Sequence, residues 1–182
     1  MDEITEKING FLKGLEMGRV VGLDGYSGIG KTTISNEIEK INHFVKVLHM
    51  DDYVVTSNKR EKIEPQLSDG VKELKFEWTN IKDRGFDDLK EDIKKYKDKI
   101  VLVDGIFLSH PDVLPNIFDK IIFLDGDEKL ADERRVKREK ERWGDKYFPE
   151  THPDSFTRLF KLAWQKYKAL YKPKENSDFV VG

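Results

Sequence analysis

Between residues 4 and 15, Ile4, Ile8, Phe11, Leu12 and Leu15 return at intervals of three and four, the spacing of one helix face. A short apolar run around Val20 to Leu23 follows, and helical spacing resumes with Ile34, Ile38 and Ile41. The alternation then continues down the chain. "FVKVLHM" (44–50), "KIVLVDG" (99–105), "KIIFLDG" (120–126) and "DFVVG" (178–182) read as further strands, with helical stretches at Phe86 to Tyr96, Glu128 to Trp143 and Asp154 to Tyr171. Apolar strands separated by helices predict a five-stranded parallel sheet covered on both faces, an α/β three-layer fold. In such a sheet ligands bind beyond the carboxyl ends of the strands, so the chemistry is sought there.

The first strand runs into "GLDGYSGIGKTT" (22–33), which carries the Gly-x-x-x-x-Gly-Lys-Thr spacing of a phosphate-binding loop. Gly25, Gly28 and Gly30 allow the backbone to turn its N–H groups into one concavity, and the following helix aims its positive end at an anion. Lys31 is placed to reach the β- and γ-phosphates and Thr32 to hold Mg²⁺ through its hydroxyl, while Thr33 continues the helix. A strand leads in and a helix leads out, as the motif requires. The expected ATP site is Gly25, Ser27, Gly28, Ile29, Gly30, Lys31, Thr32 and Thr33, joined by Arg138 and Arg142. The fold class is therefore that of a P-loop NTPase.

Other strand ends supply carboxylates. "HMDDYV" puts Asp51 and Asp52 at the mouth of the cleft, where one could accept a proton from an attacking hydroxyl or, alternatively, cap the next segment. "VLVDG" puts Asp104 where a carboxylate holds Mg²⁺ through water, although an Asp before Gly also forms turns. In "DEKLADERRVKREKERWGDK", eight basic and seven acidic residues make a self-paired, solvated helix the ordinary reading. Yet Arg135, Arg138 and Arg142 lie three and four apart, so three guanidinium groups share one face, as on a lid that neutralises phosphate charge.

Composition narrows the partners. The 182 residues make one domain by length, over 1–182, with a helical lid about 127–146 and a substrate-side insertion about 54–80, too long for a passive connection. Net charge is −2, so no basic field nominates nucleic acid, and 37% charged residues imply a surface dense in Lys and Glu. The chain has no cysteine, which removes disulfides, thiolate catalysis and cysteine-bound zinc. No apolar run approaches the length of a membrane span, and "MDEITEKING" lacks the apolar core of a targeting segment. The expectation is a cytoplasmic enzyme with ATP and Mg²⁺ as cofactors, a small-molecule substrate, no nucleic acid and no membrane; self-association into a homo-oligomer stays open.

"GYSGIGKTT", "LHMDDYV", "VLVDGIF", "LDGDEKLADERRVKRE" and "SDFVVG" follow one another in the order and spacing of the uridine kinase-like family, and from about Gly18 to Gly182 the chain resembles it. That family includes uridine/cytidine kinases and is close to nicotinamide riboside kinases and phosphoribulokinases. The resemblance implies that Asp51 is the catalytic base, that Asp104 contributes to Mg²⁺, that Arg135 contacts the ribose side and that Arg138 contacts the phosphates. Arg142 matches a further lid arginine only if one residue is deleted. Where uridine/cytidine kinases have a stretch near "FDHPDAFD", this chain has "FEWTNIKDRGFDDL", so Glu77 or Asp83 takes the diol-binding role. Asp52, Tyr53, Phe76 and Trp78 complete the expected acceptor site, the aromatics by stacking on a base. The base-recognition hairpin of those enzymes is not evident, and His43, His49, His110 and His152 read as packing or surface residues.

Other P-loop classes fit less well. A GTPase needs an Asn/Thr-Lys-x-Asp motif, and "SNKRE" offers Asn58 and Lys59 with Glu61 in the wrong part of the chain. A nucleoside monophosphate kinase usually carries Gly-Lys-Gly-Thr in its loop. A bare regulatory ATPase leaves Asp51 and the arginine helix without a task. The reading is an ATP-dependent phosphotransferase acting on the 5′-hydroxyl of a nucleoside such as uridine or cytidine, with nicotinamide riboside, pantothenate or a sugar phosphate as the alternative acceptor.

Overall fold

The computed structural model describes residues 2–53, 86–110, 117–152 and 155–182. The insertion expected at 54–80, with Phe76, Glu77, Trp78 and Asp83, lies outside the described residues. Helices α1 (Glu3–Lys13), α2 (Lys31–Ile41), α3 (Met50–Tyr53), α4 (Phe86–Lys94), α5 (Glu128–Trp143) and α6 (Phe156–Tyr171) are interleaved with strands β1 (Val20–Gly25), β2 (Val45–His49), β3 (Ile100–Asp104), β4 (Lys120–Leu124) and β5 (Phe179–Val181). All strand pairs are parallel, in the order β2-β3-β1-β4-β5. The five strands expected from the apolar runs are present, with ends shifted by no more than two residues.

The order follows from which faces are apolar. Every residue of β1 and β3 is buried, as central strands covered on both sides must be. Along β3, Ile100 and Leu102 point to one layer and Val101 and Val103 to the other, the two-residue period of a strand. The first layer joins Ile8 and Leu12 of α1 to Ile34 and Ile38 of α2. Asp2 caps α1 by accepting from the Thr5 amide at 2.8 Å, and Phe11 stacks on Phe179 of β5 at 4.9 Å, which fixes α1 beside that edge. The second layer joins Leu48 and Met50 to Phe86 and Leu89 of α4.

A third cluster, unlike the other two, is aromatic. Tyr26, Phe107, Phe123, Phe160, Trp164 and Tyr167 gather where α5 and α6 meet the carboxyl ends of β1 and β4. Phe107, which follows β3, takes a left-handed backbone conformation with φ 64°. That conformation costs a residue that carries a Cβ about 1–2 kcal/mol. Its ring is 4.8 Å from that of Tyr167 and 5.6 Å from that of Trp164, and burial of so large a side chain offsets the cost. The turn brings Ser109 back under the end of β1, where it is needed.

Leu102 is fully buried in the middle of the central strand pair, whereas Leu170 on α6 is 61% exposed. Leu102→Ala should cost about 2–5 kcal/mol, and Leu170→Ala about 0.5 kcal/mol or less. Denaturant midpoints measure both, with an unchanged slope confirming that the unfolding reaction is the same.

Candidate active site

The site is built around the loop from Gly25 to Gly30. Gly28 has φ 87°, and a side-chain carbon there would lie 2.6 Å from the Ala131 carbonyl oxygen on α5. Gly30 has φ 117° in the position preceding α2, again the left-handed region. Both constraints admit only glycine without strain. The loop is thus pressed against α5 on one side and opens at the first turn of α2 on the other. Thr32 and Thr33 are exposed at that turn, and Ser27, Gly28, Ile29 and Gly30 are half-buried along the loop. A glycine-rich loop running into a helix N-terminus is a geometry suited to phosphate.

Lys31 is buried although it carries a charge. Its Nζ donates to the carbonyl oxygens of Gly25 and Tyr26, each at 2.8 Å. Burial pulls its pKa down to about 8; the carboxylates of Asp24, Asp104 and Asp51 act in the opposite direction, and the guanidinium of Arg138 adds to the fall. Four residues from four different elements therefore share one field with the lysine. Asp51 and Arg138 are both exposed, and the charge of each acts on Lys31.

Asp24 and Asp104 are the buried carboxylates of the site. Asp24 accepts from its neighbour's amide, that of Gly25, at 2.8 Å through Oδ1. Its Oδ2 accepts from the Tyr167 hydroxyl at 2.5 Å and from the amide and hydroxyl of Ser109 at 3.2 and 3.1 Å. Burial, then the adjacent Asp24 carboxylate, push the Tyr167 hydroxyl well above the ordinary tyrosine range, so it stays a donor. Asp104 accepts from Ser35 Oγ at 2.5 Å and from His49 Nδ1 at 3.0 Å, and His49 Nε2 lies 3.1 Å from the side-chain oxygen Oδ1 of Asn36. Sequence reading missed Asp24, Ser35, His49, Ser109 and Tyr167. Asp24 lay in plain view within the loop motif, one residue before Gly25; the others become visible only once the strands are paired.

The oxygen-only set of Thr32 and Asp104 suits a hard cation such as Mg²⁺. Among the described residues no group of three or more His, Cys, Asp or Glu gathers to hold a metal. A divalent ion would thus take most of its ligands from water and from the nucleotide's own phosphates, as Mg²⁺ commonly does.

The arginine helix differs from expectation. Arg138 and Arg142 are exposed, but Arg135 is wholly buried and turned into the α5–α6 interface. It donates to Asp132 at 2.7 Å and lies over the rings of Phe160 and Tyr26 at 4.3 and 5.5 Å. Its Nε approaches Glu139 at 3.8 Å, too long for a hydrogen bond. A wide aromatic cluster beside the loop draws in a planar cation, and that physical attraction places Arg135 inside instead of facing an acceptor. Arg142 sits over the Trp143 ring at 5.4 Å. Asp52 is exposed beside Asp51, whereas Tyr53 turns its hydroxyl to Asp92 of α4 at 2.7 Å and packs with the second core layer. Trp78 and Asp83 lie outside the described residues.

Comparison with known proteins fits this arrangement. The model of the phosphoribulokinase/uridine kinase family matches residues 20–99. The chain is similar to a curated uridine kinase of Ligilactobacillus salivarius, with 28% identity over 174 residues, covering 85% of this chain and 76% of the relative. It also shares its fold with a solved structure from Bacillus stearothermophilus described as a "Possible Uridine Kinase", with TM-score 0.63, 19% identity and coverage of 99% of this chain and 98% of that one. Among the described residues, no helix is long and apolar enough to cross a membrane.

Two outcomes follow from the buried groups. The charge that Lys31 offers to a phosphate is present below pH 8 and lost as pH rises through that value, so ATP affinity should hold level to about pH 7.5 and weaken progressively above pH 8. Calorimetric titration with ATP across pH 6.5–9.5 reads this directly. Tyr167→Phe removes the shortest donor to Asp24 and should lower stability by about 1–3 kcal/mol, measured by denaturant unfolding at pH 7.

Proposed function

We propose that this chain, a kinase of the phosphoribulokinase/uridine kinase family, transfers the γ-phosphate of ATP to a hydroxyl of a small acceptor, most simply the 5′-hydroxyl of a ribonucleoside such as uridine or cytidine. The observation that carries the reading is the convergence of Asp51, Asp104 and Arg138 on the field of Lys31 at the phosphate loop. A bare nucleotide switch needs the loop and a metal carboxylate. It has no use for an exposed carboxylate and an exposed guanidinium at the same mouth.

The roles follow from position. The loop from Ser27 to Gly30 and the α2 N-terminus hold the phosphates, and Lys31, at 2.8 Å from the Gly25 and Tyr26 carbonyls, neutralises charge on the β- and γ-groups. Thr32 and Asp104 would hold Mg²⁺, which supplies further charge neutralisation across the phosphates. Asp51 accepts the proton of the acceptor hydroxyl as that oxygen bonds to the γ-phosphorus and the bond to the ADP oxygen breaks. Arg138 meets the charge that spreads over the transferring group, and its exposed position on α5 lets it approach once nucleotide is bound. Arg135, by contrast, serves as the bolt between α5 and α6, and its loss should show as instability more than as a raised acceptor KM.

The acceptor is the least constrained element, because the "FDHPD"-like stretch that reads a ribose diol in uridine/cytidine kinases is absent from the sequence. That departure keeps a second reading in play, a kinase of another small alcohol such as nicotinamide riboside, pantothenate or a sugar phosphate. A coupled ADP-release assay over these compounds decides between them. Uridine or cytidine should raise ADP release well above the acceptor-free rate; a response to one of the other alcohols alone would overturn the nucleoside assignment and leave the phosphotransferase.

Asp51→Asn should lower kcat by about 10²- to 10⁴-fold while ATP still binds, since it keeps the shape and removes the proton acceptor. Lys31→Ala should abolish turnover and weaken ATP binding, with circular dichroism showing the fold retained. Near-normal turnover in Asp51→Asn together with a dead Asp52→Asn would move the base by one residue.

A further inference from the structure

His49 lacks any ligand-like spacing in the sequence, yet it closes a ring of hydrogen bonds behind the phosphate site. Ser35 and Asn36 are adjacent on α2, the helix that begins at Lys31. Ser35 donates to Asp104 at the end of β3, Asp104 accepts from His49 at the end of β2, and His49 returns to Asn36. His49 and Asp104 are register partners in the parallel β2–β3 pair, so their side chains leave the sheet on the same face. Two residues further on, the chain carries Asp51.

We infer that His49 is a positioning residue for the metal-side carboxylate: its Nδ1–H fixes the orientation of Asp104, and the Asn36 amide fixes the ring. The inference rests on the Mg²⁺–ATP reading of the site. An ionised carboxylate only accepts, so the ring nitrogen that lies 3.0 Å from both Asp104 oxygens carries a proton and donates to them. Asp104 is 4% exposed, and Ser35 and His49 are the side-chain donors recorded for it among the described residues. A buried carboxylate with one donor can rotate toward Lys31 or toward the acceptor side. With two donors from different elements it has one orientation. Because Ser35 and Asn36 ride on the helix that starts the phosphate site, the same ring also ties the placement of Asp104 to that of Lys31 and Thr32.

Outer partners of this kind are typically worth 10- to 100-fold in metal affinity. Three variants separate positioning from packing. His49→Leu removes the donor. His49→Asn places an amide near the Nδ1 position and keeps a donor to Asp104, and His49→Gln places its amide near Nε2 and does not. The readout is the Mg²⁺ concentration giving half-saturation of a non-hydrolysable ATP analogue in calorimetry, alongside thermal unfolding of the same samples.

His49→Leu and His49→Gln should raise the half-saturating Mg²⁺ concentration about tenfold, and His49→Asn should stay within about threefold of the unsubstituted protein. If His49→Leu fails to fold, the Asn and Gln variants still decide the matter. Equal Mg²⁺ requirements in those two, or an unchanged requirement in His49→Leu, overturn the positioning role while leaving the kinase reading intact. Binding of the analogue by the unsubstituted protein with no Mg²⁺ requirement at all overturns the metal reading itself, and the role of His49 with it.

Discussion

Holding an ammonium group in a nearly dry pocket is the constraint that organises this molecule. A buried charge without partners is expensive enough that the group would give up its proton. Lys31 keeps it at neutral pH because two backbone carbonyls accept from it and three carboxylates surround it. Those carboxylates lie at the ends of β1 and β3 and just after β2, and the strand order β2-β3-β1 brings the three ends side by side. The order of the sheet and the charge of one lysine are thus two aspects of the same solution. The two carbonyls are interim partners, since a phosphate offers the ammonium a stronger, ionic acceptor.

Carboxylates placed close together would repel one another and the incoming nucleotide, so each buried one needs its own donors. Asp24 is satisfied by Tyr167 and Ser109, and Asp104 by Ser35 and His49. His49 comes from β2, and the other donors come from outside the sheet. Tyr167 stands on α6 and Ser109 follows the strained turn at Phe107, which makes the aromatic cluster a support for the electrostatics of the loop. A rigid aromatic layer can hold an unfavourable φ at Phe107 because the burial it gains exceeds the strain it stores.

Much of this was legible in the residue pattern. Five strands, the helices between them and the loop at 25–31 follow from periodicity and from glycine spacing, which are local properties. Asp51 and Asp104 were sought from the rule that ligands sit at the strand ends, and Arg138 from arginine spacing on a helix. What could not be read was pairwise and long-range. His49 meets Asp104 across 55 positions of chain, and Asp24 meets Tyr167 across 143. A histidine in a strand gives no sign of which neighbour its ring will find, because that depends on register and on the layer beyond. Arg135 shows the opposite error: three arginines at helical spacing do share a side, but one of them meets aromatic rings contributed by α6 and the loop, and goes inside.

The buried Arg135 also bears on how α5 can move. Tyr26 of the loop donates to Asp132 at 2.7 Å, Asp132 also accepts from Arg135 and pairs with Lys161 of α6 at 2.9 Å, and Gly28 lies against the backbone of Ala131. The first half of α5 is therefore joined to the phosphate loop and to α6 through one carboxylate and one close backbone contact. A hinge at the start of the helix would have to break the contacts to Tyr26, Lys161 and Gly28 together and lift Arg135 off the Tyr26 and Phe160 rings. Beyond Arg135 the helix exposes Arg138 and Arg142, while Glu139 stays buried and accepts from Thr157 of α6 at 3.2 Å. The first half acts as a fixed wall of the phosphate site, which is why its residues pack like core and only its far end reads like a lid.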